Sequence, residues 1–221
     1  DADVDAAVAA AAFGAFMNQG QICMATERVI VMDAIADDFT AAFAAKAATL
    51  TAGDPVEATA PLGSLVTSEA AQRVHDLVAD AVAKGARVIA GGGGTGTMLD
   101  ATVVDGVTPE MRLYSEESFG PVAAIIRVGT LDEAVRVANE TQFGLSAAVF
   151  GRDQARAMGV AKRIESGICH VNGPTVHDEA QMPFGGMKES GYGRFGGSAG
   201  IAEFTELRWI TTQDGALHYP I

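Results

Sequence analysis

The stretch TLDEAVRVANETQFGLSAAVFGRDQARAMGVAKRIESGICHV (Thr130–Val171) decides the fold class. Thr130 to Glu140 reads as the start of a helix, with Thr130 as candidate N-cap and Glu133 three residues on, a spacing at which side chains and free N–H groups can satisfy one another. Leu145 to Phe150 reads as a strand, Asp153 to Ile164 as a second helix and Gly167 to Val171 as a second strand. Just upstream, Val122 to Val128 is β-branched and strand-like. Parallel strands need a crossover between them, usually a helix. The alternation therefore predicts an α/β domain with a largely parallel sheet flanked by helices.

The pattern extends in both directions. Val4 to Asn18 is Ala-rich without proline, carries Val4, Val8, Phe13, Phe16 and Met17, and suits a buried helix with acids near its N-terminus. Arg28 to Met32 reads as a strand and Asp38 to Leu50 as a helix. Ser68 is a candidate cap for a helix from Glu69 to Lys84, stopped by Gly85. Arg87 to Ala90 and Thr102 to Val107 read as strands. From Asn172 to Gly200 the chain is Gly-rich and irregular, which in a compact domain points to function. Glu206 to Thr212 reads as a closing strand outside the main sheet.

Composition narrows the function classes. The 221 residues are 48% hydrophobic and 19% charged, enough for a real core and unlike a disordered chain. Fifteen Lys and Arg against 28 Asp and Glu leave a net charge of −13, which disfavours nucleic-acid and anionic-membrane partners. The longest apolar run, Ala6 to Met17, is too short to span a bilayer, and its flank is acidic, unlike a signal peptide. Cys23 and Cys169 are too few for a disulfide framework, which predicts a reduced, cytoplasmic protein. The chain begins at Asp1 without Met and runs at once into a helix-like segment, as a piece of something longer would.

Few motifs carry chemistry. Cys23 lies where a helix meets a Gly-containing turn; backbone N–H groups, Asn18 and Gln21 could surround a nucleophilic thiol there, or the sulfur could be an inert core group. Cys169 sits on an apolar strand and reads as core, with His170 pointing to the opposite face. Gly191, Gly193 and Gly196 spell G-x-G-x-x-G without the preceding strand a dinucleotide fingerprint needs. Gly91 to Gly94 lack the Lys-Ser/Thr of a phosphate loop. Glu116 to Pro121 reads as a charged turn with a buried Phe119, although an acid there could accept hydrogen bonds from sugar hydroxyls. The four histidines show no ligand spacing, so no metal site is predicted.

Five ordered blocks, FMNQGQIC (Phe16–Cys23), ATERVIV (Ala25–Val31), EESFGPV (Glu116–Val122), FGLSAAVF (Phe143–Phe150) and PFGGMKESGYGRFGG (Pro183–Gly197), resemble the aldehyde dehydrogenase superfamily over essentially the whole chain. HVNGPTVHDEAQMPFGG (His170–Gly186) is similar to the branch acting on aromatic aldehydes such as salicylaldehyde or vanillin.

The resemblance implies roles. Cys23 would be the nucleophile that forms a thiohemiacetal and then a thioester, with its own N–H in the oxyanion hole. Asn18, Gly20 and Gln21 would shape its loop. Glu117 would bind the nicotinamide ribose of NAD or NADP, and Phe119 would lie near the nicotinamide. His177 and Phe184 would line the aldehyde entrance. The partners implied are a small aldehyde and other copies of the enzyme. Residues 1–204 would be the catalytic domain and 205–221 an oligomerisation strand. The family's general-base glutamate, its oxyanion-hole asparagine and its cofactor-binding domain would lie outside these residues. A chain so reduced could instead retain only thiol acylation or esterase activity, or act as a self-associating module.

Overall fold

The computed structural model describes residues 1–58 and 60–221. Helix α1 (Val4–Phe16) is followed by a 3-10 turn (Met17–Gly20), strand β1 (Arg28–Met32), and helices α2 (Asp33–Ala47) and α3 (Ser68–Ala83). Strands β2 (Arg87–Ala90), β3 (Gly94–Thr95), β4 (Met98–Leu99) and β5 (Thr102–Asp105) precede the one-turn α4 (Arg112–Ser115). Then come β6 (Val122–Val128), α5 (Leu131–Asn139), β7 (Ser146–Val149), α6 (Gln154–Ala161), β8 (Ile168–Val171) and α7 (Gly197–Glu203).

The main sheet has the order β1-β6-β5-β2, with β1, β6 and β5 parallel and β2 antiparallel on the edge. Strands β7 and β8 form a separate parallel pair, and β3 and β4 a small hairpin. The mixed α/β architecture with a mostly parallel, helix-flanked sheet is thus the one expected from the alternation.

Both faces of the sheet are covered, which is why β5 and β6 are largely buried and mostly apolar, with Thr102, Asp105 and Arg127 the polar exceptions. The pleat divides them. Val103, Ala123 and Ile125 face α1 and α2, where they join Phe16, Phe39 and Phe43. Val104, Val122, Ala124, Ile126 and Val128 face the other way, with Leu77 of α3 and Met111. On α1 the buried residues are mostly alanine, so it lies close against α2; Phe13 and Met17, expected inside, are exposed.

Several ends differ from the sequence reading. α2 starts at Asp33 rather than Asp38, because β1 passes into it without a loop. Thr67, not Ser68, caps α3, its hydroxyl accepting from the Ala70 N–H at 3.2 Å. Thr130 caps α5 as expected, accepting from Glu133 N–H at 3.2 Å while the Glu133 carboxylate accepts from Gly129 N–H at 2.9 Å. Glu206 to Thr212 forms no strand: residues 205–221 are exposed and unpaired, since a strand needs an edge to join and this segment meets none.

Candidate active site

Helix α1 ends in a left-handed run, Asn18 (φ +50°), Gln19 (φ +57°) and Gly20 (φ +69°), which turns the chain toward Cys23. Asn18 steadies this turn: its side-chain amide donates to the Gln21 carbonyl at 3.1 Å, and its own carbonyl accepts from the Gln21 N–H at 3.0 Å. The Gln21 side-chain oxygen accepts from Val66 N–H at 2.8 Å, tying the loop to the segment before α3. At Gly20 a Cβ would stand 2.1 Å from the Gly120 carbonyl oxygen. That missing Cβ lets the cysteine loop and the Glu117–Gly120 turn touch backbone to backbone.

Cys23 itself is exposed. Among the described residues its N–H donates to no protein acceptor. Cys169 is half-buried on β8, and burial pushes its thiol pKa up, as expected of a core group.

The Glu117–Phe119 turn is held from two sides. Arg73 of α3 donates to the Glu117 and Ser118 carbonyls, both at 2.7 Å. Glu27, just before β1, accepts from the Ser118 N–H at 2.8 Å, the Ser118 hydroxyl at 3.0 Å and the Phe119 N–H at 3.0 Å. Burial pushes the Glu27 carboxyl pKa above the usual carboxylate value, and the Ser118 and Phe119 N–H groups pull against that shift. Phe119 adopts φ +48°, uncommon for a bulky residue. The Glu117 carboxylate is exposed and, among the described residues, has no hydrogen-bonding or ionic partner.

Cys23 and Glu117 line one cleft of about 830 Å³. Its walls include β1, β7 and parts of α5 and α6, so it is bordered by the edge of the main sheet and by the separate β7–β8 pair. A hydroxyl knot closes one side. Thr26 and the buried Thr175 share a hydrogen bond at 2.7 Å, and the Ser146 hydroxyl donates to the Thr175 carbonyl at 2.7 Å. This knot joins the segment after Cys23 to β7 and to the loop after β8.

The two expected entrance residues lie apart from these contacts. His177 is exposed, meets His170 edge to face at 5.2 Å and lies 3.3 Å from the Glu179 carboxylate. Phe184 packs on Phe195 at 5.0 Å between ring centroids, in a backbone bridge. Neither lines the cleft that holds Cys23. Among the described residues no group of three or more His, Cys, Asp or Glu could hold a metal ion, and no helix is long and apolar enough to cross a membrane.

The model of the aldehyde dehydrogenase family matches residues 1–210. The chain belongs to the aldehyde dehydrogenase family. It is 60% identical to a vanillin dehydrogenase of Pseudomonas fluorescens over all 221 residues, which are 46% of that protein. It superposes on a salicylaldehyde dehydrogenase from Pseudomonas putida G7, solved with salicylaldehyde, with a TM-score of 0.92 and 48% identity, covering 100% of this chain and 46% of that one. An NADP-dependent glyceraldehyde-3-phosphate dehydrogenase from Bacillus halodurans C-125, solved with NADP, gives a TM-score of 0.87 at 36% identity, covering 91% of this chain and 42% of that one. The chain thus spans about half the length of the relatives it matches.

Glu27, Arg73 and Thr175 escaped the sequence reading. No local pattern marks Glu27 or Arg73, whose partners lie 91 and 44 residues away in the chain. Only the kinked EESFGP segment hinted that something must hold it.

Proposed function

We propose that this chain supplies the cysteine-bearing half of an NAD(P)-dependent aldehyde dehydrogenase acting on aromatic aldehydes. The observation that carries this reading is the exposed Cys23 thiol, with its free N–H beside it, sharing a cleft with the unpartnered Glu117 carboxylate. Similarity to vanillin and salicylaldehyde dehydrogenases supports the aromatic preference.

The chemistry follows from these groups. The Cys23 sulfur, as thiolate, bonds to the aldehyde carbon, and the carbonyl oxygen takes up the negative charge. A free N–H next to that oxygen stabilises the charge as it develops. Glu117 would hold the ribose of a nicotinamide cofactor, which would supply the hydride acceptor for that carbon, and the thioester would remain on Cys23. Water then attacks the thioester, releasing the carboxylic acid and restoring the thiol. The residues present fit such a cofactor: a carboxylate with no protein partner can accept two hydrogen bonds from vicinal ribose hydroxyls, and Glu117 is such a group. Asn18, Gly20 and Gln21 hold the loop that aims the thiol. His177 and Phe184, on the irregular segment after β8, belong in this reading to the wall of the aldehyde entrance. In this reading residues 1–204 form the catalytic domain, and 205–221 the extended segment through which copies associate.

The test is a chimera in which this chain replaces the matching segment of the Pseudomonas fluorescens vanillin dehydrogenase. Reduction of NAD or NADP with vanillin, salicylaldehyde or benzaldehyde, lost in Cys23→Ala, is the expected result. Full activity in Cys23→Ala would remove the assigned nucleophile. Faster turnover of succinic semialdehyde than of any aromatic aldehyde would remove the substrate class.

A further inference from the structure

The half-buried Glu27 has no part in the chemistry above, yet its carboxylate makes a dense set of contacts. It accepts from three donors of one turn: the Ser118 N–H, bonded to both oxygens at 3.0 and 2.8 Å, the Ser118 hydroxyl at 3.0 Å and the Phe119 N–H at 3.0 Å. Its backbone carbonyl accepts from Ala124 N–H of β6 at 2.8 Å, so the residue is anchored to the sheet on one side and grips the turn on the other. The turn needs a grip, because Phe119 sits in the left-handed region, which is unfavourable for a bulky L-residue. Glu27 lies four positions after Cys23, and the residue before Ser118 is Glu117. The same side chain therefore spans from the strand that follows the cysteine loop to the turn that carries the ribose-facing acid.

We propose that Glu27 is a positioning residue for cofactor binding, fixing the Glu117–Phe119 turn against the strand that follows Cys23 so that the acid and the thiol keep one separation. This rests on Glu117 facing the nicotinamide ribose. The grip is stronger than a neutral one, since hydrogen bonds to a charged acceptor exceed those to a neutral group. Glutamine has one acceptor oxygen and turns its amide N–H toward donors, so Glu27→Gln forfeits part of the set. Ser118→Ala removes only the hydroxyl contact and leaves the backbone contacts in place.

Two measurements test the proposal. Hydrogen exchange on the 221-residue chain reports the turn directly, without cofactor. Amides of Ser118 and Phe119 should exchange about tenfold faster or more in Glu27→Gln, while those of β5 and β6 stay protected; a loss of a charged hydrogen bond is on this scale. The chimera reports the function: in Glu27→Gln the KM for NAD or NADP should rise about tenfold with the KM for vanillin unchanged, and Ser118→Ala should give a smaller shift in the same direction. Unchanged exchange at the turn would overturn the grip. A fall in kcat with cofactor KM unchanged in both variants would make Glu27 a structural prop and overturn the positioning role. A chimera that reduces no cofactor with Glu27 intact would remove the parent reading, and the positioning role with it, while the exchange result would still decide whether Glu27 holds the turn.

Discussion

At the scale of single residues, the two thiols are separated by their surroundings. Cys23 stands exposed on a loop; Cys169 is half-buried, and burial raises its pKa, which lowers its thiolate fraction near neutrality. A thiol reagent such as iodoacetamide should label Cys23 first, and Cys23→Ala should lose the fast phase in a time course of peptide masses. Gly20 is as decisive as the sulfur. Gly20→Ala places a Cβ 2.1 Å from the Gly120 carbonyl at φ +69°, so the cysteine loop and the turn must part. The left-handed penalty alone is about 1–2 kcal/mol. A lowered Tm with slower labelling of Cys23 is expected, and an unchanged Tm would show that the contact is slack. Cys23, Asn18, Gly20, Gln21 and Glu117 could be named in advance because each stands in a contiguous motif. Glu27, Arg73 and Thr175 could not, because their roles exist only once distant segments meet.

At the scale of elements, hydrophobic runs and the Thr130 cap were legible, while the cap of α3, several boundaries and the sheet's interruption were not. Val122–Val128 is apolar apart from Arg127 because both faces of β6 are covered, and that shows in the chain. The start of α2 at Asp33 was hidden because the strand feeds it without turn residues. One polar side chain stabilises the end of β5. Asp105 is 1% exposed between Arg87 at 2.8 Å and Arg127 at 3.1 Å. Burial alone would raise its pKa, but Arg127 and Arg87 together outweigh burial and hold it below the usual value. A carboxyl depressed by folding stabilises the fold above its unfolded pKa and loses that contribution as pH falls through its folded value. Asp105→Asn should thus cost about 1.5–3 kcal/mol near neutrality, the scale of hydrogen bonds to a charged group. It should also flatten the acid limb of stability against pH in urea titrations. An unaltered acid limb would place that dependence elsewhere.

At the scale of the whole molecule, the chain leaves much apolar surface open. Phe204, Leu207, Trp209, Ile210 and Tyr219 are exposed along the C-terminal stretch, and the Cys23 cleft separates β1 from β7. Extended apolar segments seek an edge, and patches of this kind mark association sites. The 221-residue chain should therefore self-associate with rising concentration in light scattering. The single Trp, Trp209, should shift its emission to the blue as this happens, and truncation after Phe204 should leave a smaller species. A monomer at all concentrations would count against this. The reading of Glu206–Thr212 as a strand failed because β pairing depends on a partner edge rather than on local sequence. The parallel sheet was foreseeable from alternation alone; the separation of β7 and β8 from it was not, because strand order is not written in local pattern.

If Cys23 is the nucleophile, the folded chain acylates there. The chain is incubated with an activated aryl ester, digested and mapped by mass spectrometry. The account predicts one acyl group on the peptide carrying Cys23, absent in Cys23→Ala and unaffected by Cys169→Ala. Acylation of Cys169 in preference to Cys23, or none on Cys23 in the folded chain, would contradict it.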